Sequence, residues 1–222
     1  MIIAQPRLGL HDPHDCTDAT DELTILHAVY DTLVRRVGQD FVPHLARRWE
    51  VSDDACTWTF HLEPDVTFHD GSRCDASAVS ECLVRMARED KGYTLGAPAV
   101  WRQFLGGAQI DILDQLTLKV TLAAPMADLL DVLEQGFIVA PSAFKALDAR
   151  DYNVQIGSGP FRLTEMTETR ITAEWVPGHF ADDPANARVI WQLEIDQQKR
   201  SELLEHGKVQ VAMGLDFEAS KS

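Results

Sequence analysis

The sequence predicts a mixed α/β fold, and two observations carry that prediction. Segments in which apolar and polar residues alternate recur along the chain, and stretches of helical period lie between them. A sheet with one face in a core needs the first pattern, and a helix lying on such a sheet needs the second. The chain has no internal repeat and no low-complexity segment.

In DELTILHAVYDTLV, Leu26, Val29, Tyr30 and Leu33 follow helical spacing, with Asp21 and Glu22 in the first turn where the helix dipole favours anions. CTWTFHL alternates, so Cys56, Trp58, Phe60 and Leu62 share one face. His69-Asp70-Gly71-Ser72 reads as a turn, with Asp supplying a local hydrogen bond and Gly the positive φ. Asp75 then caps a helix whose apolar stripe is Ala76, Val79, Leu83 and Met86, and Cys82 beside that stripe reads as a small buried hydrophobe. QLTLKVTL places Leu116, Leu118, Val120 and Leu122 on one strand face. PMADLLDVLEQG reads as a helix with Pro125 as its first residue and Gly136 as a left-handed stop. RITAEWV, ARVIWQLEI and KVQVAM are strands, the second with Val189, Trp191, Leu193 and Ile195 together. DQQKRSELLEHG runs as a helix from Asp196 as N-cap to a stop at Gly207.

Composition narrows the function. The 222 residues suffice for one large domain or two small ones, each with a core. An apolar share of 45% and a charged share of 25% are ordinary for a globular protein. A formal net charge of -15 makes nucleic acid and anionic membranes poor partners. No apolar run spans a bilayer, and MIIAQPRLGL lacks the parts of a signal peptide. That leaves a cytoplasmic protein or a mature exported domain behind a start Met. None of the four cysteines lies in a C-x-x-C pair, and most are expected as free thiols.

Several motifs carry side chains capable of chemistry. A hydrolase built on His69 and Asp70 needs a nucleophile or a second carboxylate converging on the turn, and the sequence supplies none. HDPHDC, from His11 to Cys16, is the most metal-like cluster, with His11 and His14 three apart beside Asp12, Asp15 and Cys16. Pro13 and the flanking Asp residues equally suit an ordinary loop after the first strand. Trp101, in APAVWRQFLGG, is a core anchor or an aromatic pocket wall. GSGP, from Gly157 to Pro160, lacks the Lys and following helix of a phosphate loop and marks a place of close backbone packing. No cofactor is expected, and no catalytic or metal residue is assigned.

The chain also resembles a known family. VYDTLVRR, then FVPHLARRWEVSDDACTWTFHLEPDVTFHDGSRCDASAV, is similar to the signature region of the extracytoplasmic solute-binding proteins of ABC transporters, the peptide/nickel-binding family (family 5). IGSGPFRL resembles that family's I-G-T-G-P-[YF] strand, HFADDP its Tyr-Trp loop with Phe180 in the Tyr place, and the segment from Ala187 to Gly214 its strand-helix-strand. The resemblance implies the first lobe of a two-lobed periplasmic-binding-protein type II fold, with residues 1–29 plus 155–222 as one sheet subdomain and 30–154 as an inserted one. Relatives of this kind are roughly twice as long, so the second lobe is expected to be absent from this chain. The implied function is a binding protein, not an enzyme: a monomer that captures oligopeptides or similar small solutes and presents them to ABC permease membrane subunits, in a periplasmic or extracytoplasmic setting. Cleft-lining candidates implied by the resemblance are His11, Asp12, His14, Cys16 and Trp101. The alternatives are the ligand-sensing domain of a cytoplasmic transcriptional regulator with the same fold, and a binder of nickel or another metal chelate. For the latter, Glu134, Gln135 and Gly136 stand where a cationic residue is expected.

Overall fold

The computed structural model describes residues 1–15, 19–92 and 100–216. In chain order its elements are β1 (Ile2–Gln5), α1 (Thr20–Val29), β2 (Val34–Val37), β3 (Asp40–Pro43), β4 (Ala46–Val51), β5 (Thr57–Leu62), α2 (Ala76–Met86), α3 (Val100–Leu105), β6 (Gln109–Asp114), β7 (Thr117–Thr121), α4 (Leu129–Leu133), a 3-10 turn (Pro141–Ala143), α5 (Phe144–Asp148), β8 (Phe161–Met166), β9 (Arg170–Trp175), β10 (Arg188–Leu193), α6 (Gln197–Glu205) and β11 (Val211–Ala212). The fold is mixed α/β. The chain divides into two compact units: Met1–Leu10, Ala19–Val29 and Gly159–Ser222 form one, and His11–Asp18 with Tyr30–Ser158 form the other.

The first unit is built on a sheet of order β11-β1-β10-β9-β8. β1 pairs in parallel with β10 and β11, whereas β10, β9 and β8 run antiparallel. Ile3 and Ala4 of β1, Val189 and Trp191 of β10, and Ile171 and Ala173 of β9 are buried. In α1, Ile25, Leu26 and Val29 are fully buried, while Asp21 in its first turn pairs with Arg7 at 2.7 Å. α6 begins at Asp196, whose side chain accepts from the Lys199 N–H, and gives way to Gly207 at φ +63°.

The second unit holds a sheet of order β4-β5-β7-β6 and the hairpin β2-β3. Trp58, Phe60 and Leu62 of β5 and Leu118 and Val120 of β7 point into one core, with the Trp58 and Phe60 rings 6.3 Å apart and nearly parallel. The alternation read from CTWTFHL and QLTLKVTL therefore places these side chains correctly. α2 lies against β6 and β7, and Ala76, Val79, Cys82, Leu83 and Met86 are all buried. Its N-cap is Asp75, whose carboxylate accepts from the Ser77 and Ala78 N–H groups. The preceding turn forms as expected: Asp70 accepts from the Ser72 N–H and hydroxyl and from the Ser142 hydroxyl, and Gly71 has φ +85°.

Four expectations are corrected. First, α1 ends at Val29, so Tyr30 and Leu33 are buried beyond the helix rather than on its stripe. The Val29 carbonyl accepts from Gly159, and in the second unit those of Asp31, Thr32 and Leu33 accept from Ile138, Leu45 and Ala46, which leaves no helical ladder. Second, Pro125 does not open a helix. α4 starts at Leu129, and the Met126 N–H is bonded to the Ala55 carbonyl at the entry to β5. Third, Gly136 does not adopt positive φ. A Cβ there would lie 3.1 Å from Met86 Cε, so close packing is what the missing side chain permits. Fourth, Ile195 lies past the end of β10 and is 75% exposed.

Replacing Asp75 with Ala should lower stability by about 1 kcal/mol, because two N–H groups of α2 lose their acceptor. Urea denaturation of the variant against the parent checks this.

Candidate functional site

The loop that follows β1 carries most of the candidate residues, and it belongs to the second unit. Its local shape is an Asx turn: Asp12 Oδ1 accepts from the His14 N–H at 3.1 Å, and the Asp15 N–H donates to the Asp12 carbonyl at 2.8 Å. Asp12 and His14 are 1% and 0% exposed. A buried carboxylate must be paired, and Asp12 is paired twice. Arg85, from α2, donates to its two oxygens at 2.9 and 2.5 Å. Lys91, just past α2, donates to Oδ2 at 2.7 Å. Asp148 at the end of α5 closes the network, accepting from Arg85 and Arg88 at 2.7 Å each and lying 3.2 Å from Lys91.

His14 sits inside this network. Arg85 Nη1 donates to its Nδ1 at 2.8 Å, and a guanidinium can only donate. Nδ1 is therefore unprotonated, and Nε2 carries the hydrogen, which it gives to the Phe137 carbonyl at 3.0 Å. Cys82 Sγ lies 3.3 Å from Nε2 and accepts from the Val139 N–H at 3.2 Å. The Trp101 indole N–H donates to the His14 carbonyl at 2.7 Å. Arg85 also lies over the Phe144 ring, 5.0 Å from its centroid.

Electrostatics follow from this geometry. Burial by itself would raise the Asp12 carboxyl, but the hydrogen bond from Arg85, together with His14 and Lys91, holds it far below the usual carboxylate range. Burial, reinforced by the Arg85 cation, pushes His14 down to about 4. Burial pushes the Cys82 thiol up to about 12. Asp148 lies at about 2: burial opposes ionisation there, and hydrogen bonds from Arg88, Arg85 and Lys91 overcome it. Near neutral pH Asp12 is thus ionised, His14 neutral and Cys82 a thiol. None is poised to exchange a proton or to attack a substrate.

Of the sequence candidates, Asp12, His14 and Trp101 are brought together, though as buried partners of one another. Trp101 is 2% exposed, so it is the core anchor of the two readings, with its N–H spent on the loop. All three side chains are almost fully buried within this chain. His11 is exposed; its ring meets Tyr152 edge-on at 5.4 Å and its carbonyl accepts from Gln155 Nε2 at 3.1 Å. Gln155 also bonds the Tyr152 carbonyl and accepts from the Tyr30 hydroxyl at 2.6 Å, so both ends of the loop are pinned. Cys16 lies outside the described residues. Among the described residues no group of three or more His, Cys, Asp or Glu could hold a metal ion.

Arg85, Lys91 and Asp148 were missed from the sequence. Arg85 had one readable signal: it stands three residues after Cys82, on the buried side of α2. Lys91 and Asp148 had none. A second buried pair, His44 Nε2 with Asp31 Oδ1 at 2.8 Å, was missed for the same reason.

The chain is thus a two-unit mixed α/β protein whose loop after the first strand is held by buried ion pairs. Residues 40–221 match the family described as bacterial extracellular solute-binding proteins, family 5 Middle, and the chain belongs to that family. Among curated relatives, the glutathione-binding protein GsiB of Pectobacterium atrosepticum is 28% identical over 95% of this chain, which covers 41% of that protein. Among solved structures, the periplasmic binding protein DppA of Helicobacter pylori in complex with the peptide STSA superposes with a TM-score of 0.82 at 22% identity, over 100% of this chain and 48% of that one. The binding protein AgaA in complex with agropinic acid, from A.tumefacien R10, gives 0.82 at 25% identity, over 94% and 42%. The chain therefore spans less than half the length of the proteins it matches. Among the described residues no helix is long and apolar enough to cross a membrane.

Two outcomes are expected. Arg85→Ala should cost about 3–5 kcal/mol in denaturant unfolding at neutral pH, because Asp12 keeps its charge and its burial but loses two of its hydrogen bonds. Cys82 in the native protein should resist thiol reagents that label it at once after unfolding; fast native labelling, mapped by mass spectrometry, would contradict the burial.

Proposed function

We propose that this chain is the first lobe of the solute-binding component of an ABC importer, and that the whole protein captures oligopeptides or similar small solutes and hands them to a membrane permease. The observation that carries this reading is the family match, which runs through both units. Peptide-like solutes are favoured by the relatives: one is glutathione-binding and one was solved with the peptide STSA. The setting is extracytoplasmic, in keeping with a family described as extracellular. The protein acts as a monomer and as a binder rather than an enzyme.

The loop of residues 11–15 contributes to this function as a rigid support. With Asp12 and His14 locked beneath it, the groups left to meet a solute are the His11 ring and the loop backbone. Capture proceeds by closure of the second lobe, driven by the better contacts the solute makes in the closed state.

A clamp gains affinity by burying most of the ligand surface between two walls. The 222-residue chain alone should therefore bind peptides and glutathione weakly, several kcal/mol short of the full-length protein, with each ~1.4 kcal/mol worth a factor of ten. Calorimetric titration of both proteins with one peptide library checks this. Micromolar or tighter binding by the chain alone would place the whole site in one lobe and end the two-wall account. A full-length protein that binds no peptide would end the substrate assignment.

A further inference from the structure

We propose that the loop of residues 11–15 is an acid-released latch, with His14 as its proton-sensitive element. The geometry is one-sided. Arg85 Nη1 donates to Asp12 Oδ1 and also to His14 Nδ1, so the imidazole position nearest the cation has to remain a lone pair. A second proton would set an N–H against a guanidinium N–H at 2.8 Å and add a positive charge beside Arg85 and Lys91.

The surroundings offer no relief. From the loop itself, Asp12 is already taken by Arg85 and Lys91, and Asp15 Oδ1 accepts from the Gly92 N–H. From α5, Asp148 is taken by Arg85, Arg88 and Lys91. Beyond α2, Asp90 is held by Arg88. From α2, Cys82 is a neutral thiol, and Tyr30, which Asp12 also influences, is a neutral phenol. The remaining neighbours, the Phe137 carbonyl, the Phe144 ring and Trp101, bring no ionisable group. His14 is fully buried, so between its ordinary value and about 4 it gains a proton by leaving with the loop.

The sign and size follow from linkage. A group whose folded value is depressed contributes stability that is complete above its ordinary value and is lost as pH falls. His14 moves from 6.5 in the open loop to about 4 in the closed one. The open fraction should thus rise about tenfold per pH unit between those limits, by about 300-fold in all from His14, with Asp12 and Asp148 adding their own acid dependence below that range. Only the consequence for solute, weaker capture in acid, rests on the proposed function; the latch itself does not.

Two measurements on the 222-residue protein test the latch without any solute. Nitrogen-15 NMR of His14 should show the Nε2–H tautomer at neutral pH and no titration near 6.5. Hydrogen exchange of the Trp101 indole N–H and the Gly92 amide, both bonded to the His14 carbonyl, should accelerate on acidification after correction for intrinsic rates, while β5 and β7 amides do not follow. His14→Gln can accept from Arg85 and donate to Phe137 without titrating, and should abolish the acid dependence of that exchange. An Nδ1–H tautomer, titration near 6.5 in the closed protein, or an unchanged acid dependence in H14Q would each overturn the proposal. If H14Q fails to fold, the tautomer and titration of the parent protein decide alone.

Discussion

The order of the 11–15 loop in the second unit depends on one buried ion pair, Asp12 with Arg85. Its two residues lie 73 positions apart, one in a loop and one on a helix. Burying either charge alone would cost several kcal/mol. Together they are tolerated because every carboxylate oxygen of Asp12 meets a donor, and because Arg85 has further acceptors in Asp148 and His14. Everything attached to the loop inherits this constraint. Trp101 finds its acceptor in the His14 carbonyl, and Gly92 bonds the same carbonyl together with Asp15.

Such a network is better suited to specifying a shape than to adding stability. A hydrophobic replacement of similar volume can be as stable, but it would not fix the loop's register. Here the register is over-determined: the Asx turn sets the local bend, the ion pair sets its depth, and Gln155 holds the His11 carbonyl at the other end.

The first unit uses a different device. Arg200 is 3% exposed. It donates to the carbonyls of Glu194, Ile195, Met213 and Gly214, and so ties the entry of α6 to the exit of β11. In both units a long cationic side chain does work that apolar packing cannot, because it reaches several acceptors from one anchored backbone.

How much of this was legible follows from the range of each force. Local hydrogen bonding and alternation are written in adjacent residues, so the Asp70-Gly71 turn, the Asp75 and Asp196 caps, and the shared face of Trp58, Phe60 and Leu62 could be read directly. The family resemblance, carried by motifs in order, also lay in the sequence. The end of α1 at Val29 did not, because the carbonyls that would continue it are claimed by residues far along the chain. Nor did the fate of HDPHDC. From the sequence Asp12 and His14 were candidate ligands or loop residues; only the tertiary structure brought Arg85, Lys91 and Asp148 against them and turned reactive-looking side chains into a buried support. The reason is physical: whether a polar residue faces solvent or a partner is decided by charges that are distant in sequence and adjacent only after folding.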